Sequence, residues 1–404
     1  MAFNVLLIGA GEINFGSVEG PWNHSLRLER KLSDRLRVVG LVDPDVARAK
    51  SAIDIKLGSP SAAAYANCKI LPTVTEAEVT LSPDEHPKLV IVGTPPFTRG
   101  TDILGQDLEL QLIRAFPDAA LFVEKPVGSG PVDACWRVAA ELEKCKTLVG
   151  VGYMLRYSAA VQKMKQIIAD NQLTVMGTNA RYVMAYEFAR KLAWWDKSRS
   201  GGPIVEQATH FCDLSRYFGG DVVLPSVSAH TVEHDEAPGI LSAKRFDETL
   251  VPSSERLPRL TSATWKYEGG AVGALTHVIA LHGITYDTEF EVYADGYRLK
   301  LVDPYNAPKL YVRRPGLATE EVFSFENDDP FYTEVATIID SIEGTGTSPI
   351  LSSYADAVKT YELVRSLLHF PSDSLQTECA LQTWQIRLAS ELSAEAEYAR
   401  RAAA

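Results

Sequence analysis

The sequence is poor in cysteine and holds no long apolar run. Five cysteines occur in 404 residues: Cys68, Cys135, Cys145, Cys212 and Cys379. They are scattered, odd in number and never spaced C-x-x-C, which fits a reducing compartment better than a disulfide framework. No paired Cys/His spacing suggests zinc, so no metal is expected. No apolar stretch approaches the ~20 residues that span a bilayer. The opening MAFNVLLIGAGE has no basic leader and flows into a glycine turn, unlike a secretory signal. The expectation is a cytoplasmic protein with no membrane partner. Lys and Arg form no cluster, and the net charge is −12. That balance favours solubility and argues against a nucleic-acid partner. Internal repeats and low-complexity tracts are missing too.

What is present is ordinary globular material, 46% apolar and 23% charged. A chain of this length suggests about two or three domains, because single cores rarely grow past about 250–300 residues.

The first half alternates short apolar runs with helical stretches. Phe3 to Ile8 is almost wholly apolar, as a strand buried on both faces requires. Gly9-Ala10-Gly11 follows at once. A strand ending in G-x-G begins the dinucleotide fingerprint: one glycine for the turn, one for backbone approach to a pyrophosphate. The third glycine is replaced by Asn14, and Glu12 and Ile13 lie between. A helix is expected to start near Pro21 to Asn23, and an insertion is expected after the glycine turn, over Gly16 to Ser25. The next strand, Leu36 to Asp43, ends on a carboxylate suited to ribose hydroxyls. Asp43 disfavours a 2′-phosphate, so NAD is expected over NADP. Arg48 reads more readily as part of a helix start than as a phosphate clamp.

Further strands end in Thr94-Pro95-Pro96, in Glu124-Lys125-Pro126 and near Tyr153. Helices are expected over Asp107 to Phe116 and Val132 to Lys144. Strands alternating with helices define a doubly wound parallel α/β sheet, the Rossmann arrangement, whose crevice lies beyond the carboxyl ends of the strands. Gly9, Gly11, Glu12, Ile13, Asn14, Asp43, Thr94, Pro95, Pro96, Glu124 and Lys125 are the candidate cofactor contacts.

After Tyr157 the rhythm changes. Ala159 to Ala169 reads as a helix and Thr174 to Phe188 as a long strand. Hairpins follow, with turns at Glu268-Gly269-Gly270 and Asp295-Gly296, so a second, mainly antiparallel sheet is expected. Ala237 to Arg259 reads as a loop. The segment after Leu375 reads as helical.

Three features together resemble the Gfo/Idh/MocA family of glucose–fructose oxidoreductase and inositol dehydrogenase: Glu124-Lys125-Pro126 at a strand end, VGYMLRYS, and SGGPIVEQATHFCDL from Ser200 to Leu214. The resemblance implies a C-terminal α/β domain with an open, mainly antiparallel sheet. It also implies nicotinamide-dependent hydride transfer at a hydroxyl or ketone carbon, often of sugars or cyclitols, and homo-oligomers formed through that sheet. The expected division is 1–150, 151–372 and a C-terminal extension, 373–404.

Lys125, His210 and Glu206 are the candidate catalytic residues. An ammonium at a strand end can polarise a carbonyl or stabilise an alkoxide. A surface lysine before a turn-forming proline is the plain alternative. His210 suits a proton shuttle. Glu206 and Asp213 lie four residues before and three after it, so a carboxylate is expected to orient it or raise its pKa. Tyr153, Arg156, Trp194, Trp195, Lys197 and Asp213 are candidate contacts for a small-molecule substrate, with core packing the alternative for the tryptophans. His277 reads as structural, and His24 carries no assigned role. Two other functions fit the same residues: reduction of an imine or ketone in specialised metabolism, and a non-catalytic NAD(P)-binding regulator.

Overall fold

The computed structural model describes residues 2–18, 20–185, 195–197, 204–243, 247–281, 286–346 and 348–368. The expected 373–404 extension and Trp194 lie outside the described residues.

The first sheet contains β1 (Phe3–Ile8), β2 (Leu36–Val42), β3 (Lys69–Leu71), β4 (Leu89–Val92), β5 (Ala120–Val123) and β6 (Val149–Val151). Their order is β3-β2-β1-β4-β5-β6, and every pairing is parallel. The strands are apolar because helices cover both faces. Val5, Leu6, Leu7 and all of β4 are fully buried. The order reverses between β1 and β4, which opens the crevice at their carboxyl ends. The helix expected near Asn23 runs His24–Leu32, with the Asn23 side chain accepting from the Leu26 amide at its N-terminus. A one-turn helix, Glu12–Phe15, precedes it. The insertion is therefore an interruption of the first crossover helix, broken at Gly16, whose φ is +109°.

The second sheet contains β7 (Val175–Ala185), β8 (Ser228–Val232), β9 (Leu260–Lys266), β10 (Val272–Leu281), β11 (Asp287–Ala294), β12 (Tyr297–Val302), β13 (Lys309–Arg313) and β14 (Glu321–Ser324). The order is β14-β13-β12-β11-β7-β10-β9-β8. Among the described residues of this sheet, only β7 and β10 pair in parallel. Alternation sets the two faces. Ala180, Tyr182, Leu275, Phe290, Leu299, Leu310 and Val312 are buried. They face helices Ala159–Asp170 and Thr209–Gly219. The opposite face carries Arg181, Glu289, Lys300 and Tyr311, half-buried, with Val272, Tyr293 and Val322 exposed.

Two late helices return to the first sheet. Pro330–Glu343 buries Val335, Ile338 and Ile339 in the same cluster as Leu7, Ile91 and Phe122. Arg27 and Arg30 pair with Asp329 at its start, and Arg35 pairs with Glu343 at its end. Tyr354–Ser366 packs on the Val132–Lys144 helix. Among the described residues no helix is long and apolar enough to cross a membrane.

Candidate active site

The glycine turn is tight for a visible reason. Gly9 has φ +92°, and a Cβ there would lie 3.1 Å from the Gly93 carbonyl and from the Thr94 methyl. Gly11 caps the Glu12–Phe15 turn and faces open space, where a side chain would otherwise intrude. Asn14 stands where the fingerprint has glycine. Its buried amide donates to the carbonyls of Ile8 (3.0 Å) and Gly9 (2.7 Å), capping the end of β1. A Cβ on Gly93 would come within 2.6 Å of that amide. Thr94 and Pro96 begin the loop across from this turn, and Pro95 is exposed. These residues leave a cradle bounded by backbone, which fits a pyrophosphate.

Asp43 is buried and already occupied. Oδ2 accepts from the Ala10 amide (2.7 Å) and Oδ1 from the Asp45 amide (2.8 Å). The Arg48 guanidinium reaches both oxygens, at 2.8 and 2.9 Å. Arg48 thus meets both readings, the helix start and a cation beside Asp43. Arg48 does sit in the first turn of its helix, its amide capped by Asp45, and its half-exposed side chain folds back over Asp43.

Lys125 leaves the end of β5, and the structure brings it to Glu206. Its Nζ donates to the Glu206 carbonyl at 2.6 Å and lies 3.7 Å from the carboxylate. Both side chains are mostly buried but open to the cleft, 19% and 14% exposed. Burial pushes the Glu206 carboxyl above its ordinary range, and Lys125 partly offsets this. Glu206 lies in a π-turn, Ile204–Ala208, and His210 in the α-helix that follows, Thr209–Gly219. The single regular helix expected across Glu206 and His210 is therefore a π-turn that runs into an α-helix.

His210 is 8% exposed. Its environment reverses the expectation of a raised pKa. Burial and then the Lys125 charge push it well below the ordinary histidine value. Its Nδ1 finds no hydrogen-bond partner among the described residues. Tyr153 and Tyr305 stand edge-on to the ring, at 6.0 and 6.1 Å.

The expected substrate contacts separate. The Tyr153 ring is fully buried beside His210, its hydroxyl 3.0 Å from Thr209 Oγ1. Arg156 and Asp213 pair with each other inside the protein and do not reach the cleft. Charges this deeply buried need partners, and these two satisfy one another. Trp195 is buried against Glu248, Val251, Arg256 and Leu257 in a small cavity. Lys197 is half-buried.

Other residues of the region carry little sequence signal. Tyr305 stands beside His210, and Tyr182 and His277 extend the group from it, with Tyr182 5.7 Å from His277 and 6.3 Å from Tyr305. His277 Nε2 and the Tyr305 hydroxyl are buried without a partner among the described residues. His24 pairs with Glu124, and Arg99 reaches the Glu124 carbonyl. Arg99, five residues after Thr94, belongs to the same strand-end loop and is the nearest to legible. Among the described residues no cluster of three or more His, Cys, Asp or Glu side chains forms a metal site.

A parallel sheet with a glycine turn at its switch point, followed by a mixed, mostly antiparallel sheet, is the architecture of a dinucleotide-binding oxidoreductase. Residues 3–153 match the model of an oxidoreductase family with an NAD-binding Rossmann fold, and residues 156–297 that of an oxidoreductase C-terminal domain. The chain belongs to the Gfo/Idh/MocA oxidoreductase family. It is 46% identical over 368 residues to the uncharacterised protein UNK4.17 of Schizosaccharomyces pombe, covering 90% of each chain. Solved structures share the fold at low identity. A dehydrogenase from Chromobacterium violaceum superposes with a TM-score of 0.66 at 16% identity, covering 96% of this chain and 99% of that one. A 3-ketoreductase from Actinomadura kijaniata, solved with NADP, gives 0.64 at 13%, covering 91% and 97%.

Proposed function

We propose that this chain moves hydride between a nicotinamide dinucleotide and a hydroxyl-bearing or ketone carbon of a sugar-like or cyclitol-like substrate. The observation that carries the reading is the contact of Lys125 with Glu206 at the crevice end of β5, one helical turn from His210. The Lys125 ammonium donates to the reacting oxygen and stabilises its charge as an alkoxide. His210, neutral because it is buried, takes the hydroxyl proton in oxidation and returns it in reduction. Glu206 holds the lysine in place. Tyr182, Tyr305 and His277 supply flat walls and buried polar groups for a ring that carries hydroxyls.

Gly9, Gly11, Asn14 and the Thr94 loop would hold the dinucleotide's phosphates, and Asp43 its adenosine ribose once the Arg48 guanidinium swings off it. When bound, the nicotinamide supplies or accepts the hydride. NAD is the preferred form in this reading, and Arg48 gives NADP a foothold. The uncovered face of the second sheet offers a surface to a second copy of the chain. The free, scattered cysteines Cys68, Cys135, Cys145 and Cys212 agree with a cytoplasmic setting.

The test is turnover across sugars, cyclitols, uronates and diols, followed by absorbance of the reduced cofactor. Lys125→Ala and His210→Ala should each lower kcat by about 10²–10⁴-fold, with NADH affinity nearly unchanged. Tight NADH binding with no turnover on any of these substrates would instead leave a dinucleotide-binding regulator.

A further inference from the structure

Lys125 shares a peptide with Glu124, and Glu124 is gripped from several directions. Its carbonyl accepts from Arg99 Nη2 at 2.6 Å. Its carboxylate lies 2.6 Å from His24 Nε2. On the far side it rests against Gly152, where a Cβ would stand 2.9 Å from Oε2. Arg99 is 1% exposed and also donates to the Thr94 carbonyl at 3.2 Å. It therefore ties the end of β4 to the end of β5. His24 is fully buried, edge-on to Phe122 at 5.1 Å and Phe331 at 6.4 Å.

Stability alone is a poor explanation for this arrangement. Assembling buried charged or polar partners costs desolvation, and apolar side chains of the same shape usually serve a core as well or better. Here the polar grip falls on the peptide that launches the cleft lysine. The same histidine opens the helix that follows the Gly16 interruption. The dinucleotide side of the crevice and Lys125 are thereby joined through one hydrogen bond.

We propose that His24 and Arg99 are positioning residues that fix the Glu124 peptide and so aim the Lys125 ammonium into the cleft. The inference rests on the reading of Lys125 as the group that meets the reacting oxygen. Without the imidazole, the Glu124 carboxylate loses its partner and turns, and the Lys125 backbone follows. A shift of about 1 Å at a reacting group can cost about 10²-fold in rate.

The experiment uses the full chain and trinitrobenzenesulfonate, which arylates free amines, with modification of Lys125 followed by peptide mass spectrometry. His24→Phe keeps the ring packing and removes the hydrogen bond. It should label Lys125 roughly fivefold faster than wild type, the equivalent of one ordinary hydrogen bond. His24→Gln restores a donor near Nε2 and should return the wild-type rate. Arg99→Lys keeps the charge, loses the reach to both carbonyls, and should accelerate labelling independently if His24→Phe fails to fold. On any substrate turned over, His24→Phe should lower kcat about tenfold or more while KM moves less than about twofold. Wild-type labelling in both His24→Phe and Arg99→Lys would overturn the proposal, as would acceleration that His24→Gln does not reverse. Full turnover in Lys125→Ala would instead remove the reading of Lys125, whatever the labelling shows.

Discussion

Arg156 and Asp213 meet through two hydrogen bonds, Nε to Oδ2 at 2.8 Å and Nη2 to Oδ1 at 2.6 Å, with both side chains almost wholly buried. The pair fastens the Met154–Tyr157 turn after β6 to the helix of His210. Thr360 also donates to Asp213, and Asp356 pairs with both Arg156 and Arg216. Removing Asp213 breaks this network but leaves Arg156 its contact with Asp356, so the cost should be about 3 kcal/mol, the low end for a broken buried pair. Asp213→Asn should lose roughly that stability in urea unfolding. The double change Arg156→Met, Asp213→Leu should recover much of it. Equal losses in single and double variants would contradict the account.

Arg48 sets a second prediction. With its guanidinium on Asp43, the end of the cleft proposed to take the adenosine ribose carries both charges. Arg48→Ala should weaken NADPH binding about tenfold or more relative to NADH, because a charge-assisted contact is lost. Asp43→Ala should move the ratio the other way. Fluorescence titration with both reduced cofactors measures it, and an unchanged ratio in Arg48→Ala would remove Arg48 from cofactor choice.

His277 makes stability depend on pH. Burial pushes its pKa down to about 4, from 6.5 when exposed. As pH falls below 6.5 the unfolded chain takes up a proton that the folded chain refuses. The stability present above pH 6.5 is lost progressively toward pH 4, by roughly 3 kcal/mol for this group alone. His277→Gln should flatten that part of the curve. Parallel urea midpoints for the two proteins between pH 7.5 and about pH 4.5 would argue against it.

Glu334 has the opposite sign. It is buried, and neither oxygen has a hydrogen-bond partner among the described residues. Burial, and then the nearby Glu124 charge, push its carboxyl well above the ordinary range. The unfolded chain releases this proton as pH rises through about 4.3, so folding grows costlier from there upward. Glu334→Gln should raise stability at pH 8, with the gain shrinking toward pH 4. A gain of the same size at both pH values would point to packing rather than ionisation.

Much of the architecture was legible because buried parallel strands read as short apolar runs, and the hairpins announce themselves at Glu268-Gly269-Gly270 and Asp295-Gly296. The order of strand ends also placed Gly9, Asp43, Thr94 and Lys125 along one crevice. Other relations do not appear in a linear reading. His24 and Glu124 are 100 positions apart. Arg156 looks like a cleft residue until its buried partner is seen. Ile204–Ala208 has the composition of ordinary helix, so nothing in it reveals the π-turn on which Glu206 sits. Arg48 and Asp43 are joined across a strand end and a helix start, a spacing that regular periodicity does not cover.

The Pro330–Glu343 helix makes the order of synthesis matter. Residues up to 153 contain every strand of the first sheet, yet Val335, Ile338 and Ile339 complete the packing over Phe122 and Ile91. While the ribosome is still making the second sheet, the nascent first unit must wait with that apolar groove uncovered. A fragment cut near residue 153 would inherit the same groove permanently, together with an unanswered Arg27, Arg30 and Arg35. Dividing this chain at its most obvious seam would therefore yield a sticky half-protein rather than a free-standing dinucleotide-binding module.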